Sequence, residues 1–308
     1  MATAARTGRP SRTVKLVALE DLAARVPDGC RIAFGGFPMF GKPMAAVREL
    51  VRRGSRELVV VGTSNGIEVD VLVAAGAVRR IETAYVGLEE FGLAPNYRRA
   101  AEAGAVEVVD YSEGVAFDRF RAGQEGLTFV PVAQLVGTDI AARNPEIVPF
   151  PCPLTGRPYH AVPAANVEVA VIHAPAADEF GNILYPQSRM LPQGLDLTMA
   201  CAADVVLVTV ERVVDSNFVL RNPQLTQIPA FRTTLVAHAP WGAHPTALPG
   251  FYEVDDEFMR DTYLPAATGA DSFDGFLDDH VRGATHEAYL ETVGAARLFH
   301  RERWAVIA

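Results

Sequence analysis

The sequence of 308 residues has little cysteine and no long apolar run. Its three cysteines, Cys30, Cys152 and Cys201, are far apart and form no Cys-x-x-Cys motif. This excludes a disulfide framework and a cysteine zinc motif, and it predicts free thiols in a reducing, cytoplasmic setting. No apolar stretch approaches the roughly 20 residues that a membrane-spanning helix needs, so we expect no membrane partner.

Positive charge is also scarce. Lysine and arginine together number 28, against 37 aspartate and glutamate residues, which gives a formal net charge of −9. No basic tract stands out, so nucleic acid is not an expected partner. An acidic chain can still bind a polyanionic ligand through local arginine, lysine and backbone donors.

Motifs for cofactors and metals are missing. No Gly-x-Gly-x-x-Gly is present for a dinucleotide, and no Gly-Lys-Ser/Thr for a nucleoside triphosphate. The seven histidines are scattered, with no pair at i, i+4 and no cysteine cluster beside them. We therefore predict no metal and no tightly bound cofactor, expect His238 and His244 to be buried and hydrogen-bonded, and do not expect a Ser/His/Asp triad.

Short apolar strands alternate with helices through the first half of the chain. We predict strands near residues 31–35, 57–62, 80–86, 106–110 and 127–132, and helices near 18–26, 43–53, 67–75, 95–103 and 115–122. Further strands are expected at 167–173, 204–210 and 233–238, and the tail from 255 to 297 reads as helical. This pattern predicts an α/β fold with an open, mainly parallel sheet, helices on both faces and a helical C-terminal extension. Ligands would bind beyond the carboxyl ends of the strands.

The domain organisation is expected to be simple. Residues 1–15 are basic without an apolar segment, which favours a disordered tail over a signal peptide, and residues 16–308 form one domain. Six prolines between residues 145 and 163 are interpreted as ruling out regular structure there. That segment is interpreted either as a linker or as an ordered flap over a site.

Residues 28–43 form the most informative segment of the chain. They read as a buried strand, a glycine turn at Gly35 and Gly36, and a helix opened by Pro43. Free backbone N–H groups in such a loop would suit an anion or a developing oxyanion. A tight connection without a ligand is the alternative interpretation.

The same segment resembles the first signature of the family I coenzyme A transferases. Asp-Gly, two residues, three apolar residues, Gly-Gly-Phe, three residues and Gly-x-Pro are all met between positions 28 and 43. The resemblance implies a CoA-transferase/NagB-like fold and coenzyme A as a substrate. It also implies that Gly35, Gly36 and Phe37 contact that substrate.

Residues 62–66, Gly-Thr-Ser-Asn-Gly, follow the second predicted strand. One interpretation is a turn in which Ser64 or Asn65 caps the next helix. The family comparison offers another, because the catalytic half of these transferases carries Ser-Glu-Asn-Gly and Ser64 stands in the place of the glutamate. A serine cannot form the acyl anhydride, so the resemblance implies an α subunit whose β partner supplies the nucleophilic glutamate in an α2β2 assembly, with Ser64 and Asn65 near the substrate.

Two further segments carry candidate site residues. Residues 89–99 are similar to glutaconate-type α subunits, which implies that Asn96, Arg98 or Arg99 holds the acid or a coenzyme A phosphate; solvated arginines are the alternative. Glu113 follows the fourth predicted strand and resembles a glutamate of steroid ring-opening hydrolases, implicated there as acid/base on a coenzyme A thioester. A plain helix N-terminal carboxylate is the other interpretation, and a dry cleft would raise the pKa of this carboxyl.

The leading hypothesis is the α subunit of a transferase that moves coenzyme A between an acyl-CoA thioester and a free carboxylic acid. The first alternative is the α subunit of a ring-opening acyl-CoA hydrolase that uses Glu113. The second is a non-catalytic ligand-binding relative with the same sheet.

Overall fold

The structure, a computed structural model, describes residues 13–187 and 191–301. Within these residues, no helix combines the length and the apolar character needed to cross a membrane. Residues 1–12 of the expected tail lie outside the described part, but Lys15 does not behave as a tail residue. Its N–H donates to the Glu179 carbonyl and its carbonyl accepts from Val236 N–H, which ties it to the sheet.

Fifteen strands lie in the described residues. They are β1 Leu16–Val17, β2 Arg31–Phe34, β3 Leu58–Val61, β4 Ser64–Asn65, β5 Val78–Thr83, β6 Tyr85–Val86, β7 Glu107–Asp110, β8 Phe129–Val132, β9 Val148–Pro151, β10 Pro158–Pro163, β11 Val167–Asp178, β12 Ile183–Leu184, β13 Ala203–Val214, β14 Thr226–Ile228 and β15 Leu235–His238.

The main sheet is parallel along the order β1-β15-β13-β11-β2-β3-β5-β7. Two short strands, β12 and β14, add antiparallel pairs at one side. From β2 the chain builds outward to β3, β5 and β7, and it then returns to β11 on the other flank of β2. The strand order therefore reverses between β2 and β11, and ligands of open α/β sheets bind in the crevice at such a point.

Helices cover both faces of this sheet. They are α1 Leu19–Ala23, α2 Met44–Arg52, α3 Ile67–Ala74, α4 Pro95–Glu102, α5 Glu113–Gln124, α6 Asp139–Arg143, α7 Leu191–Ala202, α8 Ser216–Arg221, α9 Asp256–Phe258, α10 Leu264–Ala266, α11 Ala270–Leu277, α12 His286–Val293 and α13 Ala295–Arg301. Short 3-10 turns span Glu89–Phe91 and Pro223–Leu225, and π-helical turns span Met259–Tyr263 and Asp278–Arg282. The predicted helical C-terminal extension is confirmed.

The alternation of side chains along β2 divides the core into two layers. Ile32 and Phe34 pack with α1 to α4 and the C-terminal helices. Ala33 points to the opposite face, where Phe120 of α5 and Met199 of α7 pack. Since both faces of a parallel strand are buried, the strand reads as a continuous apolar run.

The strand predicted near 127–132 is present as β8, but its expected place in the parallel sheet and the expected irregularity of residues 145–163 are both wrong. The stretch near 127–132 does not continue the parallel sheet, because β8 pairs antiparallel with β10 in a separate three-stranded sheet of order β8-β10-β9. The proline-rich residues 145–163 are also regular, since they contain β9 and β10. Prolines are tolerated there because β9 is an edge strand, and the prolines of the central strand stand at its two ends, Pro158 and Pro163.

Candidate active site

A cavity of about 450 Å³ opens at the carboxyl edge of the main sheet. It lies between the glycine loop after β2, the end of β3 and the first turns of α5 and α7, two helices that pack against each other. Its walls are mostly apolar and are formed by Phe37, Thr63, Glu113, Gly114, Phe117, Gly194 and Leu195. Three predicted regions, at Phe37, Ser64 and Glu113, therefore meet at one place.

The carboxylate of Glu113 on the cavity wall is paired with a hydroxyl beside the cavity, that of Ser64. Ser64 Oγ donates to Glu113 Oε1 at 2.8 Å. The serine is buried, whereas Glu113, the first residue of α5, is exposed. The dry cleft expected around Glu113 is thus not formed by this chain alone.

The turn at residues 62–66 is built differently from the capping prediction. Gly66 is the N-cap of α3 and receives no side-chain cap from Ser64 or Asn65; instead Glu68 Oε2 accepts from Gly66 N–H at 2.9 Å. The Asn65 amide donates to Glu68 Oε1 and accepts from Thr83 Oγ1. Asn65 therefore fixes the turn that presents Ser64.

Residues 62–66 also match the Gly-x-Ser-x-Gly pattern of a serine nucleophile and lie in a strand–turn–helix segment. The expectation that no Ser/His/Asp triad is present did not consider this match. In the described residues the partner of the Ser64 hydroxyl is the Glu113 carboxylate, and no histidine lines the cavity. A triad of the Ser/His/Asp type is therefore not assembled here.

The amides of the glycine loop are not free, contrary to the prediction. Gly35 N–H donates to the Val171 carbonyl, Gly36 N–H to Asp196 Oδ1 and Phe37 N–H to the Phe40 carbonyl. The loop closes on itself because Gly36 adopts φ 79°, where a Cβ would lie 2.4 Å from the Phe40 carbonyl oxygen. The loop borders the cavity, but its N–H groups already have partners.

Asp196 is a candidate site residue that the sequence analysis missed. It lies on α7, and its buried carboxylate accepts from Gly36 N–H at 2.7 Å and from the Tyr185 hydroxyl at 2.9 Å. Burial raises the pKa of this carboxyl to about 6. The available signal was the apolar i, i+4 spacing of Leu195 and Met199, which predicts a helix that would carry Asp196 with it.

Lys42 is the second missed residue. Both Lys42 and Glu68 are fully buried, and Lys42 Nζ lies 2.8 Å from Glu68 Oε1. Lys42 Nζ also donates to the Ser64 carbonyl at 3.3 Å. The signal was a lysine inside an apolar glycine–proline loop, since a buried charge in such a place requires a partner.

Asn96, Arg98 and Arg99 lie outside this cavity. Asn96 is buried and donates to Asp70 Oδ2 at 2.8 Å, and Arg99 donates to Asn96 Oδ1 and to the Ala267 carbonyl. Arg98 forms an exposed ion pair with Glu102. These contacts connect α4 to α3 and the C-terminal helices, so binding of the acid or of a phosphate by these residues stays a prediction without a contact in its favour.

The two histidines singled out by the sequence, His238 and His244, both form hydrogen bonds. His244 is buried between the Tyr289 hydroxyl and Asp255 Oδ2, as expected. His238 bonds the Glu211 carbonyl but is exposed, so its predicted burial is wrong. Across residues 13–187 and 191–301, no three side chains of metal-binding type converge; the absence of a metal stays a prediction for chelation to test.

Comparison with known proteins places this geometry in context. The sequence profile of the coenzyme A transferase family matches residues 17–234. One polypeptide of the glutaconate CoA-transferase of Acidaminococcus fermentans is 31% identical over 308 residues, which covers 93% of this chain and 94% of that polypeptide. The crystal structure of glutaconate CoA-transferase from the same organism superposes with a TM-score of 0.88 at 29% identity, over 94% of this chain and 95% of the matched one.

Two other relatives extend the comparison. The cholesterol ring-cleaving hydrolase IpdA subunit of Rhodococcus jostii is 30% identical over 286 residues, 89% of this chain and 94% of that protein. An uncharacterised protein of Archaeoglobus fulgidus is 32% identical over 281 residues and is longer, since the match covers 90% of this chain but 62% of that protein. With a family profile over most of its sheet and a fold shared along nearly its whole length, the chain belongs to the coenzyme A transferase family.

Proposed function

We propose that this chain is the α subunit of a heteromeric coenzyme A transferase, which moves coenzyme A between an acyl-CoA thioester and a free carboxylic acid. The observation that carries the proposal is the cavity at the end of β3. Ser64 stands there in the place of the family's nucleophilic glutamate, and the cavity is open enough to leave Glu113 exposed. A nucleophilic glutamate from a β subunit completes the site.

The walls of the cavity suit the acyl part of the substrate. Phe37, Phe117 and Leu195 provide apolar contact, and the Ser64–Glu113 pair provides the polar group that meets the thioester or the acid. Asn65 supports Ser64, and Gly35 and Gly36 let the loop approach the substrate. Coenzyme A is a substrate, not a resident cofactor. The assembly is an α2β2 heterotetramer of the cytoplasm.

The test is to co-express this chain with an adjacent β-type reading frame and to incubate the purified pair with an acyl-CoA panel. Intact-mass spectrometry of both polypeptides, quenched in acid, should find the coenzyme A adduct on the β partner and none on this chain. The Ser64→Ala variant should still form that adduct. An acyl adduct on this chain that disappears in Ser64→Ala would contradict the proposal.

The hydrolase alternative has one observation in its favour, which is the position of Glu113 in the cavity. The identity of about 30% to both a transferase and a hydrolase does not separate the two. The family profile and the close superposition on glutaconate CoA-transferase support transfer. A non-catalytic relative would need neither a partner nor the Ser64–Glu113 pair, and it has no observation in its favour.

A further inference from the structure

Asp196 lies directly behind the cavity wall. The two preceding residues of α7, Gly194 and Leu195, line the cavity, whereas the Asp196 carboxylate turns inward and is buried. There it accepts one hydrogen bond from the Gly36 amide and one from the Tyr185 hydroxyl. A carboxylate in this position connects the cavity helix with the glycine loop.

The loop is shaped around this carboxylate. A Cβ on Gly35 would lie 2.5 Å from Asp196 Oδ1, so only glycine leaves room for the acid to reach the Gly36 amide. The next residue, Phe37, forms a pair of backbone hydrogen bonds with Phe40, and its side chain lines the cavity. The position of the Gly36 amide therefore determines where the Phe37 ring meets the acyl group.

We propose that Asp196 is a positioning residue for the acyl cavity: its ionised carboxylate holds the Gly36 amide and through it the Phe37 wall. This inference rests on the proposed transferase function. Asp196 touches no reacting atom in this scheme. It acts by keeping a loop of two glycines, which is conformationally permissive, in one arrangement.

The charge of Asp196 matters because both oxygens are used as acceptors. The groups that face it are the Gly36 amide, the Tyr185 hydroxyl and the Lys42 ammonium, which is itself paired with Glu68. Burial raises the pKa of the Asp196 carboxyl by more than the Gly36 and Tyr185 hydrogen bonds and Lys42 lower it, and the net pKa is about 6. Below that pH one carboxyl oxygen of Asp196 carries a proton and is a weaker hydrogen-bond acceptor. The hydrogen bonds that fix the glycine loop therefore weaken.

The experiment uses the co-purified α/β pair and measures kcat and KM for acyl-CoA from pH 5 to 8. We expect Asp196→Asn to raise KM about tenfold at pH 7.5 with a smaller change in kcat, because a charge-assisted hydrogen bond is roughly twice as strong as a neutral one. It should also remove the decline in kcat/KM near pH 6. Tyr185→Phe removes a donor that lowers the pKa of Asp196, so it should move that decline to higher pH.

Asp70→Asn is the matched control. Asp70 is likewise a buried aspartate whose pKa burial raises, and it accepts from a tyrosine hydroxyl, Tyr263, at 2.6 Å, but it lies away from the cavity. This variant should keep the wild-type KM and the decline near pH 6. Equal kinetic losses in Asp70→Asn and Asp196→Asn, or an unmoved decline in Tyr185→Phe, would overturn the inference.

Hydrogen exchange separates this inference from the proposed function. The peptide that covers the glycine loop should lose protection, corrected for intrinsic exchange rates, as pH falls through 6 in the wild type and should be constant in Asp196→Asn. If the loop shows this pH-dependent protection but the α/β pair catalyses no acyl exchange, the positioning role is supported and the transferase function is contradicted. Loop protection independent of both pH and Asp196 would overturn the positioning role even in an active enzyme.

Discussion

The free energy of unfolding of the Asp196→Asn variant should rise relative to that of the wild type as the pH rises. The folded protein raises the pKa of this carboxyl from 3.8 to about 6, so the folded state holds the proton more tightly than the unfolded state. Stability from that proton is fully present below the unfolded pKa and is lost as pH rises through the folded pKa. At 1.36 kcal/mol for each pKa unit, the whole change is about 3 kcal/mol.

The measurement is urea unfolding of the full-length wild type and of Asp196→Asn at several pH values from 4.5 to 7.5. Titration of the other groups cancels in the difference between the two proteins when those groups are independent of residue 196. The free energy of unfolding of the variant should therefore rise relative to wild type by about 2 kcal/mol over this range. The hydrogen bonds of the asparagine change the free energy of unfolding by the same amount at every pH, so they do not affect how the difference varies with pH.

A difference that does not vary with pH would refute the reasoning, because it would mean that Asp196 is not desolvated as the structure describes. A difference of opposite sign would mean that its hydrogen bonds outweigh its burial. The expected outcome is a variant whose free energy of unfolding rises relative to that of the wild type between pH 4.5 and 7.5 and that binds acyl-CoA less well.

Three further outcomes are expected. Lys42→Met should destabilise the chain by about 3–5 kcal/mol because it leaves the buried Glu68 carboxylate without its cationic partner, and a double-mutant cycle with Glu68→Met in urea should show strong coupling, with additivity as the contrary result. Gly36→Ala should lower the free energy of unfolding by at least about 2 kcal/mol, read from thermal unfolding, because its φ of 79° and the nearby Phe40 carbonyl both oppose a Cβ. Glu113→Gln should reduce acyl exchange by less than about tenfold if the nucleophile comes from the partner; a loss of roughly 10²–10⁴ would indicate a catalytic acid/base instead.

Much of the fold could be predicted from the sequence because both faces of the central strands are buried. Continuous apolar runs such as β2 and β3 are readable without knowing their neighbours. The stretch at β8 has similar composition, but its partner is a hairpin arm, and nothing local distinguishes that pairing from a parallel one. Helix α7 was missed because Pro192 and Gly194 in its first turn weaken the local helical signal.

The candidate site was predicted in position more than in detail. Ser64 and Glu113 come together because both follow strands of a parallel sheet. A sequence motif locates Ser64 and a predicted strand end locates Glu113. The partners of the loop amides could not be predicted, since Asp196 is 160 residues away from Gly36 along the chain. Asn96 and Arg99 show the converse: a resemblance identified the segment, but side-chain contacts decide what each residue does.

The small sheet of β8, β10 and β9 has a consequence for how other polypeptides can meet this chain. Pro149 and Pro151 occupy the alternate positions of β9 that face away from β10, and proline has no N–H to donate. At these two positions the border has carbonyl acceptors but no N–H donors, so a further strand could form only part of the usual ladder, which disfavours edge-to-edge pairing there. A molecule that binds this border therefore depends mainly on exposed side chains such as Val148, and is selected by shape and apolar fit more than by the hydrogen bonding of a β edge.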